Sequence, residues 1–364
     1  MAKLDFKNKM NINLLIYLAI IVVSGFALIY LDMNKFEFNY AISIIEKSLV
    51  YAVVALSMNI VTGFTGLFSL GQAGFMALGA YTTAILTIPV ASRPNVYYMN
   101  GILPSLENVI VPIPVALILG GLVAAVFAAL IGIPVLRLKS DYLAIATLGF
   151  SEIIRAVIAS PMMDKITNGS YGLKSIPGFK NSFECFVFSL ICIIIMILII
   201  NSSTGRDFKA VREDEIAAQS IGINLFRTKE LSFVVSSFFT GVGGGLLAMF
   251  MRSIDSKTFQ ITLTYDILLI VVLGGIGSIT GSIVGAFFVT AGKEILRFFD
   301  EPLVVAGINI PLFRPGFRMV IFSILLMIVV LFFRKGLLGG HELSTYNLAR
   351  LFKPKKISDK GGKA

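Results

Sequence analysis

The sequence predicts an all-α polytopic membrane protein with about 8–10 transmembrane helices. Of its 364 residues, 56% are hydrophobic and only 14% are charged, whereas a soluble domain carries roughly a quarter charged residues. Apolar runs of about 20 residues recur along most of the chain, and each is long enough to cross a bilayer as a helix. The runs are continuous and lack the alternation of barrel strands, which excludes a transmembrane β-barrel.

Nine hydrophobic runs are candidate spans. The first follows three lysines, as a signal peptide would, but it is about as long as a full span and has no small-residue cleavage signal. We therefore interpret it as a retained helix. The periodicity predicts spans near residues 12–31, 41–61, 67–89, 112–136, 142–160, 183–201, 229–251, 264–292 and 317–333.

No long linker or low-complexity tract divides the chain. We expect one transmembrane domain over residues 12–333, a short N-terminus (1–11) and a basic tail (334–364). Eight of the 31 lysines and arginines lie in this tail, and such a positive excess is typical of the cytoplasmic side of a cell membrane. With both termini cytoplasmic, alternation of the spans also places the polar loop 202–228 inside.

The composition argues against several functions. The formal net charge is +10, but its concentration beside the last span indicates membrane orientation and not nucleic acid binding. Cys185 and Cys192 are about two helical turns apart, so a disulfide between them is not expected. The chain has one histidine and no cluster of cysteine and histidine, so we expect no metal site.

The chain also lacks the motifs of an enzyme. It contains no Gly-x-x-x-x-Gly-Lys-Ser/Thr loop to hold nucleotide phosphates. The single histidine, near the C-terminus, leaves no Ser/His/Asp or Cys/His set. We therefore expect neither catalysis nor a cofactor in this chain alone.

The only sizeable charged stretch in the middle of the chain extends from Gly205 to Gly222. Its pattern predicts a helix with Asp207 as the N-cap and Gly222 as the glycine that ends it. Lys209 and Glu213 lie at i,i+4, the spacing of a helical ion pair. A compact helix of this kind favours the docking of a soluble partner over a merely solvated connection.

The same stretch has a narrow apolar side and one turn without bulk. Phe208, Val211 and Ile221 give a sparse apolar stripe at helical spacing. Ala217 and Ala218 leave space in which another surface could approach closely.

Two segments are interrupted by glycines. One covers residues 62–79, and the other interrupts the run 264–292 at residues 274–277. If the polar loop and the tail both lie in the cytoplasm, an even number of crossings must separate them, but three hydrophobic runs lie between them. The broken run is therefore either a re-entrant pair of half-helices or two short spans. Irregular backbone at membrane depth surrounds cavities or is enclosed by protein, and such segments often mark the substrate region of transporters.

These segments supply the candidate pathway residues. The candidates are Ser69, Gln72, Gly74, Gly274, Gly275 and Gly277. Ordinary helix–helix contact is the alternative for both segments. Gly281 and Gly285 continue the second segment at a spacing of four, which is typical of closely packed membrane helices. The similarity of the two segments also suggests an internal repeat.

Polar groups within spans need partners. Glu152 and Arg155 lie at i,i+3 and predict an intramembrane ion pair, either structural or part of a proton relay. The Gln72 amide would bond a neighbouring helix or line the pathway with Ser69 and Thr65.

Three blocks of the sequence resemble one family. The first, residues 56–81, contains Thr-Gly-Phe-Thr-Gly-Leu-Phe-Ser-Leu-Gly-Gln-Ala-Gly. The second, residues 136–155, reads Leu-Arg-Leu-Lys-Ser-Asp-Tyr-Leu-Ala-Ile-Ala-Thr-Leu-Gly over its first fourteen positions. The third extends from the charged stretch through Val-Leu-Gly-Gly-Ile-Gly-Ser-Ile-Thr-Gly-Ser to residue 286. Together and in this order they resemble the M-type (LivM-like) permease subunit of branched-chain amino acid ABC transporters.

The resemblance implies a heteromeric importer in which ATP hydrolysis resides in other subunits. The expected partners are a second, H-type permease, two ATP-binding cassette ATPases and an extracytoplasmic substrate-binding protein. The charged stretch matches the family's cytoplasmic coupling loop, in which the coupling residues would be Gly205, Arg206, Arg212, Glu213, Asp214, Glu215, Ala217, Ala218 and Gly222. The loop 91–111, the segment 300–315 and the long basic tail depart from the family pattern.

Other functions stay open at this point. The same type of permease could carry urea or a short-chain amide, since those permeases share these blocks. A secondary, ion-coupled transporter would use the broken helices and the Glu152–Arg155 pair. A membrane scaffold without transport is a third class.

Overall fold

The computed structural model describes residues 19, 21–99, 101–138, 140–297, 304–305, 308–309, 320–324 and 327. The predicted N-terminus 1–11, the basic tail 334–364 and most of the predicted span 317–333 lie outside the described residues.

Helices make up nearly all of the described secondary structure, which confirms the predicted all-α class. In chain order they are α1 Ile21–Met33, α2 Lys35–Asn59, α3 Gln72–Thr87, α4 Arg93–Val96, α5 Ile113–Val135, α6 Ser140–Ile158, α7 Asp164–Thr167, α8 Ser182–Asn201, α9 Ser203–Glu213, α10 Glu215–Ser220, α11 Leu225–Met251, α12 Ile261–Gly274 and α13 Ile279–Ile295. A π-turn, Ile60–Phe64, continues α2. Short 3₁₀ turns occur at Val90–Ser92, Pro161–Met163, Gly169–Tyr171 and Ser256–Phe259. The two described strands, β1 Val304–Val305 and β2 Ile308–Asn309, pair antiparallel.

Within the described residues, four helices are long and apolar enough to cross a bilayer. They are Lys35–Phe64, Ile113–Val135, Ser182–Asn201 and Leu225–Met251. Two bent pairs raise the number to six if each pair is one span: α3 with Val90–Val96, and Tyr142–Ile158 with Pro161–Thr167. The chain is therefore a multi-pass membrane protein, and the total of 8–10 spans stays a prediction.

The first glycine-broken segment separates α2 from α3. The predicted spans 41–61 and 67–89 differ from these helices, because α2 with its π-turn covers Lys35–Phe64 and α3 begins only at Gln72. Gly66 has φ +78°, a left-handed conformation that a right-handed helix cannot include. The residues from 65 to 71 therefore form an irregular connection.

The second glycine-broken segment is a sharp turn. The predicted interruption of the run 264–292 is confirmed, because α12 ends at Gly274 and α13 begins at Ile279. Gly275 and Gly277 have φ values of +117° and +81°, which side chains other than glycine rarely adopt. The two helices pack as an antiparallel hairpin, so the chain returns to the side from which α12 started.

The centre of the bundle is a close contact of α3, α5 and α11. A Cβ atom on Gly244 of α11 would collide with the Met76 carbonyl of α3. A Cβ atom on Gly241 would lie 2.6 Å from Ala124 Cβ of α5. Small residues at such crossings let helix backbones approach in lipid, where no hydrophobic force drives association. Sequence reasoning did not single out this glycine cluster on α11.

One end of the bundle is closed by loops, and we call it the capped end: residues 88–112, 159–181 and 252–260. The Arg93 side chain is only 2% exposed and its guanidinium donates to five backbone carbonyls. These belong to Ile85, Ile88, Leu106, Glu107 and Val109. The loop 91–111 is thus fixed to the end of α3 by one cation.

Further hydrogen bonds join the three loops of the capped end. The Asn168 amide donates to the Val96 and Gly172 carbonyls at 3.0 and 2.7 Å. Leu173 and Ile254 exchange two backbone hydrogen bonds of 2.8 Å. Tyr97 donates its hydroxyl proton to the Ile166 carbonyl at 2.7 Å, and burial raises the pKa of Tyr97 to about 12, so the phenol keeps this proton at neutral pH.

Candidate functional site

The polar loop 202–228, which we call the charged segment, lies at the end of the bundle opposite to the capped end. Its residues 203–220 fold as two helices, α9 and α10, and not as one, and α11 begins within its last turn. The predicted N-cap Asp207 is wrong, because α9 starts earlier and is capped by Ser202, whose Oγ accepts from Gly205 N at 3.5 Å. Asp214 caps α10 by accepting from the Ile216 and Ala217 amides at 2.8 and 3.0 Å. An aspartate that bonds the amides ahead of it interrupts one helix and begins the next.

The ends and ion pairs of the charged segment differ in part from the expectation. Gly222 has φ +90° just after α10, as predicted for a glycine that ends a helix. The predicted Lys209–Glu213 pair does not form. Glu213 bonds the neighbouring Arg212 at 3.0 Å instead, and Lys209 Nζ lies 5.5 Å from the centroid of the Phe64 ring.

One side of the charged segment faces the bundle. Phe208 and Val211 are buried, as the predicted apolar stripe requires, but Ile221 is 76% exposed and does not belong to it. Gly205 packs so closely on the carbonyls of α8 that a Cβ atom would collide with Ile200 O. Ala218 is also buried.

The other side of the charged segment is exposed and carries two large apolar side chains. Ile216 is 79% exposed and Ile221 is 76% exposed, on either side of the exposed Ala217. Their neighbours are charged: Glu215 bonds Lys229 Nζ at 2.7 Å and keeps a half-exposed side chain. Exposed aliphatic groups on a short charged helix are typical of a surface that another protein covers.

Arg212 connects the charged segment to both glycine-broken segments. Its Nη1 donates to the Gly63 carbonyl, in the π-turn of α2, at 2.6 Å. Its Cγ would lie 3.0 Å from a Cβ atom on Gly66, and its Nη1 would lie 2.7 Å from a Cβ atom on Gly277. The arginine therefore occupies space that exists only because these positions are glycines.

Asn59 joins the two glycine-broken segments beneath Arg212. Its side chain is fully buried and accepts from Gly277 N at 2.8 Å through Oδ1. Its Nδ2 donates to Ser278 O at 2.9 Å and Ser282 Oγ at 2.7 Å. Sequence reasoning missed this residue, although an amide four residues before Gly63 in an apolar run is the available signal.

The predicted pathway residues of the first break lie in helix contacts. Gln72 is 2% exposed and its Oε1 accepts from Thr240 Oγ1 of α11 at 2.6 Å, which is the neighbouring-helix bond considered above. Ser69 is fully buried. A Cβ atom on Gly74 would lie 2.7 Å from Ser151 Cα of α6. Their part in a pathway stays a prediction.

A buried hydrogen-bonded chain extends from Gln72. Thr240 Oγ1 also lies 2.8 Å from Ser57 Oγ of α2. Ser236 Oγ donates to Ser57 O at 2.6 Å. The chain links α2, α3 and α11 through buried polar groups that satisfy one another.

The predicted pathway residues of the second break lie in the turn beside Arg212, and the predicted packing glycines follow it. Gly274 of α12 meets Gly281 of α13 so closely that a Cβ atom on either would collide with the carbonyl of the other. A Cβ atom on Gly285 would lie 2.7 Å from Ile270 O. Asp266 and Lys293 bond at 2.5 Å farther along the hairpin.

The Glu152–Arg155 pair forms within α6. Arg155 donates to Glu152 Oε2 at 2.7 Å through Nε, and its Nη2 lies at the same distance from that oxygen. Both side chains are about 30% exposed in the chain alone. No group of three or more potential metal ligands occurs within the part of the chain that the structure describes.

Comparison with known proteins identifies the family. The profile of a family described as "Branched-chain amino acid transport system / permease component" matches residues 40–331. The chain belongs to this permease family. The matched region includes both glycine-broken segments and the charged segment, so the Arg212 contacts belong to the part of the permease that the family shares.

Three relatives of the chain are named as LivM permease proteins of branched-chain amino acid transport. It is 32% identical over 295 residues to the high-affinity branched-chain amino acid transport system permease protein LivM of Salmonella typhimurium, covering 72% of this chain and 64% of the relative. It is 33% identical over 294 residues to the Escherichia coli protein of the same name, with coverage of 71% and 64%. The probable LivM of Methanocaldococcus jannaschii is 24% identical over 343 residues, with coverage of 86% and 96%.

The permease thus spans about 64% of the length of its two enterobacterial relatives. No solved structure matches the permease.

Proposed function

We propose that the chain is the transmembrane permease subunit of an ATP-driven importer for branched-chain, hydrophobic amino acids. Family membership and the names of three relatives support this transport class and substrate. The partners would be an H-type permease, two ATP-binding cassette ATPases and an extracytoplasmic substrate-binding protein. ATP hydrolysis would take place in the ATPases, and this subunit would convert their motion into alternating access.

The observation that carries the proposal is the position of Arg212. A rigid movement of the charged segment would pull on Gly63 through a charge-assisted hydrogen bond of 2.6 Å. It would also move the guanidinium against Gly277, within the α12–α13 turn. Because Asn59 ties these two glycine-broken segments together, one movement would reach both. Such a linked element can bias a two-state change in access.

The exposed side of the charged segment would be the ATPase contact. Ile216 and Ile221 would fill an apolar groove while Ala217 allows the groove wall to approach. The carboxylates of Glu213, Asp214 and Glu215 and the cation of Arg206 would lie at the rim. A small apolar core with a charged rim is typical of transient protein interfaces.

The proposed orientation follows from this contact. The charged segment and both termini would be cytoplasmic, and the capped end would face the outside of the cell membrane. The transmembrane domain would extend over residues 12–333, with the basic tail 334–364 beside the last span on the inner surface.

Uptake measurements test the proposed function directly. In a strain lacking the chain, its return should restore uptake of labelled leucine that stops when ATP is depleted. Uptake of labelled urea in place of leucine would assign the permease to the amide branch. Uptake that survives ATP depletion and collapses with an uncoupler would assign it to ion-coupled transport, with the Glu152–Arg155 pair of 2.7 Å as the first group to examine.

Replacement of Ala217 by tryptophan tests the ATPase contact. The residue is exposed, so the larger side chain should leave folding and membrane insertion intact. It should separate the ATPase from the permease in co-purification and abolish uptake. Ser253→Trp, at an exposed position of the capped end, is the matched control, and co-purification equal to it would contradict the contact.

A further inference from the structure

One side of α6 carries a charged pair at the depth of the membrane interior. Ser151, beside Glu152, packs on the first turn of α3. Gln72 in that turn bonds Thr240, near the middle of α11. Because α11 has 27 residues and is about 40 Å long, its middle lies within a hydrocarbon core of about 30 Å. Glu152 and Arg155 therefore lie at hydrocarbon depth.

The chain itself does not enclose this pair. Both side chains are about 30% exposed. The Nε and Nη2 atoms of Arg155 both contact one oxygen, Oε2 of Glu152. Among the described residues, Glu152 Oε1 and Arg155 Nη1 have no hydrogen-bond partner. Hydrocarbon offers neither a donor nor an acceptor to these groups, so this side of α6 is poorly suited to lipid.

Two other spans show the composition of a lipid-facing side in this chain. α5 contains no charged residue and exposes large aliphatic side chains such as Ile118 and Leu130. α8 has no charged residue after Glu184 and exposes Ile191 and Leu198. The exposed side of α6 differs from both by its two charges. Charged side chains at membrane depth almost always face protein or a water-filled cavity.

Residues at spacings of three and four extend the charged pair into a continuous surface, which we call the α6 face. It consists of Ile145, Leu148, Glu152, Arg155 and Ala156. Ile145 is 67% exposed, Ala156 is also exposed and Leu148 is half-buried. Rows of this spacing are the contact surfaces of packed helices. The α6 face therefore fits a second transmembrane helix that carries polar groups.

The first and last predicted spans of the chain pack on helices other than α6. A Cβ atom on Gly25 of α1 would lie 3.7 Å from the Phe183 ring of α8. In the described part of the predicted span 317–333, the Phe322 ring lies 3.5 Å from the position of a Cβ atom on Gly292 of α13. The helix that covers the α6 face thus comes from another subunit.

We infer that the α6 face is the contact surface for the second, H-type permease subunit, which rests on the proposed function. A transmembrane helix of that subunit packs along Ile145 and Ala156. Its polar side chains donate to Glu152 Oε1 and accept from Arg155 Nη1. The charged pair is then enclosed between two subunits, where hydrogen bonds across the helices replace contact with lipid.

Photo-cross-linking in the assembled transporter tests the position of this contact. With p-benzoylphenylalanine in place of Ile145, irradiation of membranes should give a covalent adduct with the H-type subunit. The same probe in place of Leu130, which is 63% exposed on α5, is the matched control and should give no such adduct. An Ile145 adduct with a second, differently tagged copy of this chain would overturn the inference. Equal adducts from both positions, or no protein adduct from Ile145, would also overturn it.

Exchange of the two charges tests whether the pair acts only within α6. Glu152→Arg combined with Arg155→Glu keeps the i,i+3 pair, so the melting temperature of the isolated chain should change little. The exchange reverses the charges that the partner helix meets. Recovery of the H-type subunit per folded chain in co-purification should therefore fall about tenfold. Recovery equal to that of the unchanged chain would overturn the contact, since the pair would then serve the α6 fold alone.

Uptake separates this inference from the proposed function. ATP-dependent leucine uptake by a transporter that gives no Ile145 adduct overturns the α6 contact alone. An Ile145 adduct with the H-type subunit, in a complex that does not transport leucine, leaves the contact in place and overturns the import function.

Discussion

Two arginines, one at each end of the bundle, differ in how they are held. Arg93 at the capped end is 2% exposed and donates to five carbonyls of two chain segments. Arg212 at the charged-segment end keeps 39% of its side chain exposed and bonds one carbonyl, that of Gly63, and one carboxylate, that of Glu213. The first is enclosed and the second is reachable from solvent.

The difference indicates what each end does. The Arg93 guanidinium is nearly buried and has all its bonds to backbone carbonyls of the loop and the end of α3, so its contacts hold the loop in place. Arg212 can change partners at low cost because water reaches its guanidinium, yet it touches both glycine-broken segments. A rigid capped end and a charged-segment end whose contacts can change are what the proposed function requires.

The largest expected effect is that of Arg93→Gln. The substitution removes most of the five hydrogen bonds of a nearly buried cation, so the free energy of unfolding should fall by about 3 kcal/mol. Thermal unfolding of the purified chain in detergent measures this change. Lys257 is an exposed cation of the same end, so Lys257→Gln should leave the free energy of unfolding unchanged. Equal stability of the two variants would contradict the proposed rigidity of the capped end.

An intermediate effect is expected at the α12–α13 contact. Gly281→Ala would place a methyl group against the Gly274 carbonyl, and such overpacking typically costs about 1–3 kcal/mol. The melting temperature and leucine uptake should both fall.

Gly149→Ala is the matched control for Gly281→Ala, because nothing lies within 4 Å of a Cβ atom at that position of α6. It should leave uptake unchanged and keep or raise stability, by up to about 1 kcal/mol, since alanine favours a helix over glycine. Full uptake by Gly281→Ala would show that the hairpin does not need this close contact.

The smallest effect on stability is expected for Arg212→Gln. Its bond to Glu213 is solvent-exposed and contributes little, and water can reach the guanidinium that bonds Gly63, so the melting temperature should fall far less than for Arg93→Gln. ATP-driven uptake should fall about tenfold, since one charge-assisted bond to Gly63 is lost. Arg206→Gln, on the exposed side of α9, should keep stability but weaken ATPase co-purification. Unchanged uptake by Arg212→Gln would contradict the claim that Arg212 acts in transport while Arg93 stabilises the fold.

The sequence predicts the backbone breaks well. Glycines that need positive φ values, such as Gly275 and Gly277, carry their own signal, and the expected position of the charged segment and the tail on one side of the membrane also predicts a return at this point. The helix end at Gly222 could be predicted because this glycine also adopts a positive φ value. These features depend on local conformation, which the residue type largely decides.

Contacts between distant residues could not be predicted in the same way. The start of α9 at Ser202 was missed because Ser202 and Asp207 both suit an N-cap, and the packing of α8 against Gly205 decides between them. Arg93 bonds carbonyls up to 16 residues away. Because every loop residue has a backbone carbonyl, the sequence does not show which of them Arg93 will bond. The role of Asn59 could not be predicted because its partner Gly277 lies 218 residues later in the sequence.

The sidedness of the charged segment is the most direct test of the account. A cysteine at Gln219, exposed on α10, should react with a membrane-impermeant maleimide in inside-out vesicles and not in intact cells. Lys257→Cys at the capped end should react in the opposite way, while the native Cys185 and Cys192 are buried and give little background. Labelling of Gln219→Cys in intact cells would place the segment outside, beyond the reach of any cytoplasmic ATPase, and would contradict the account.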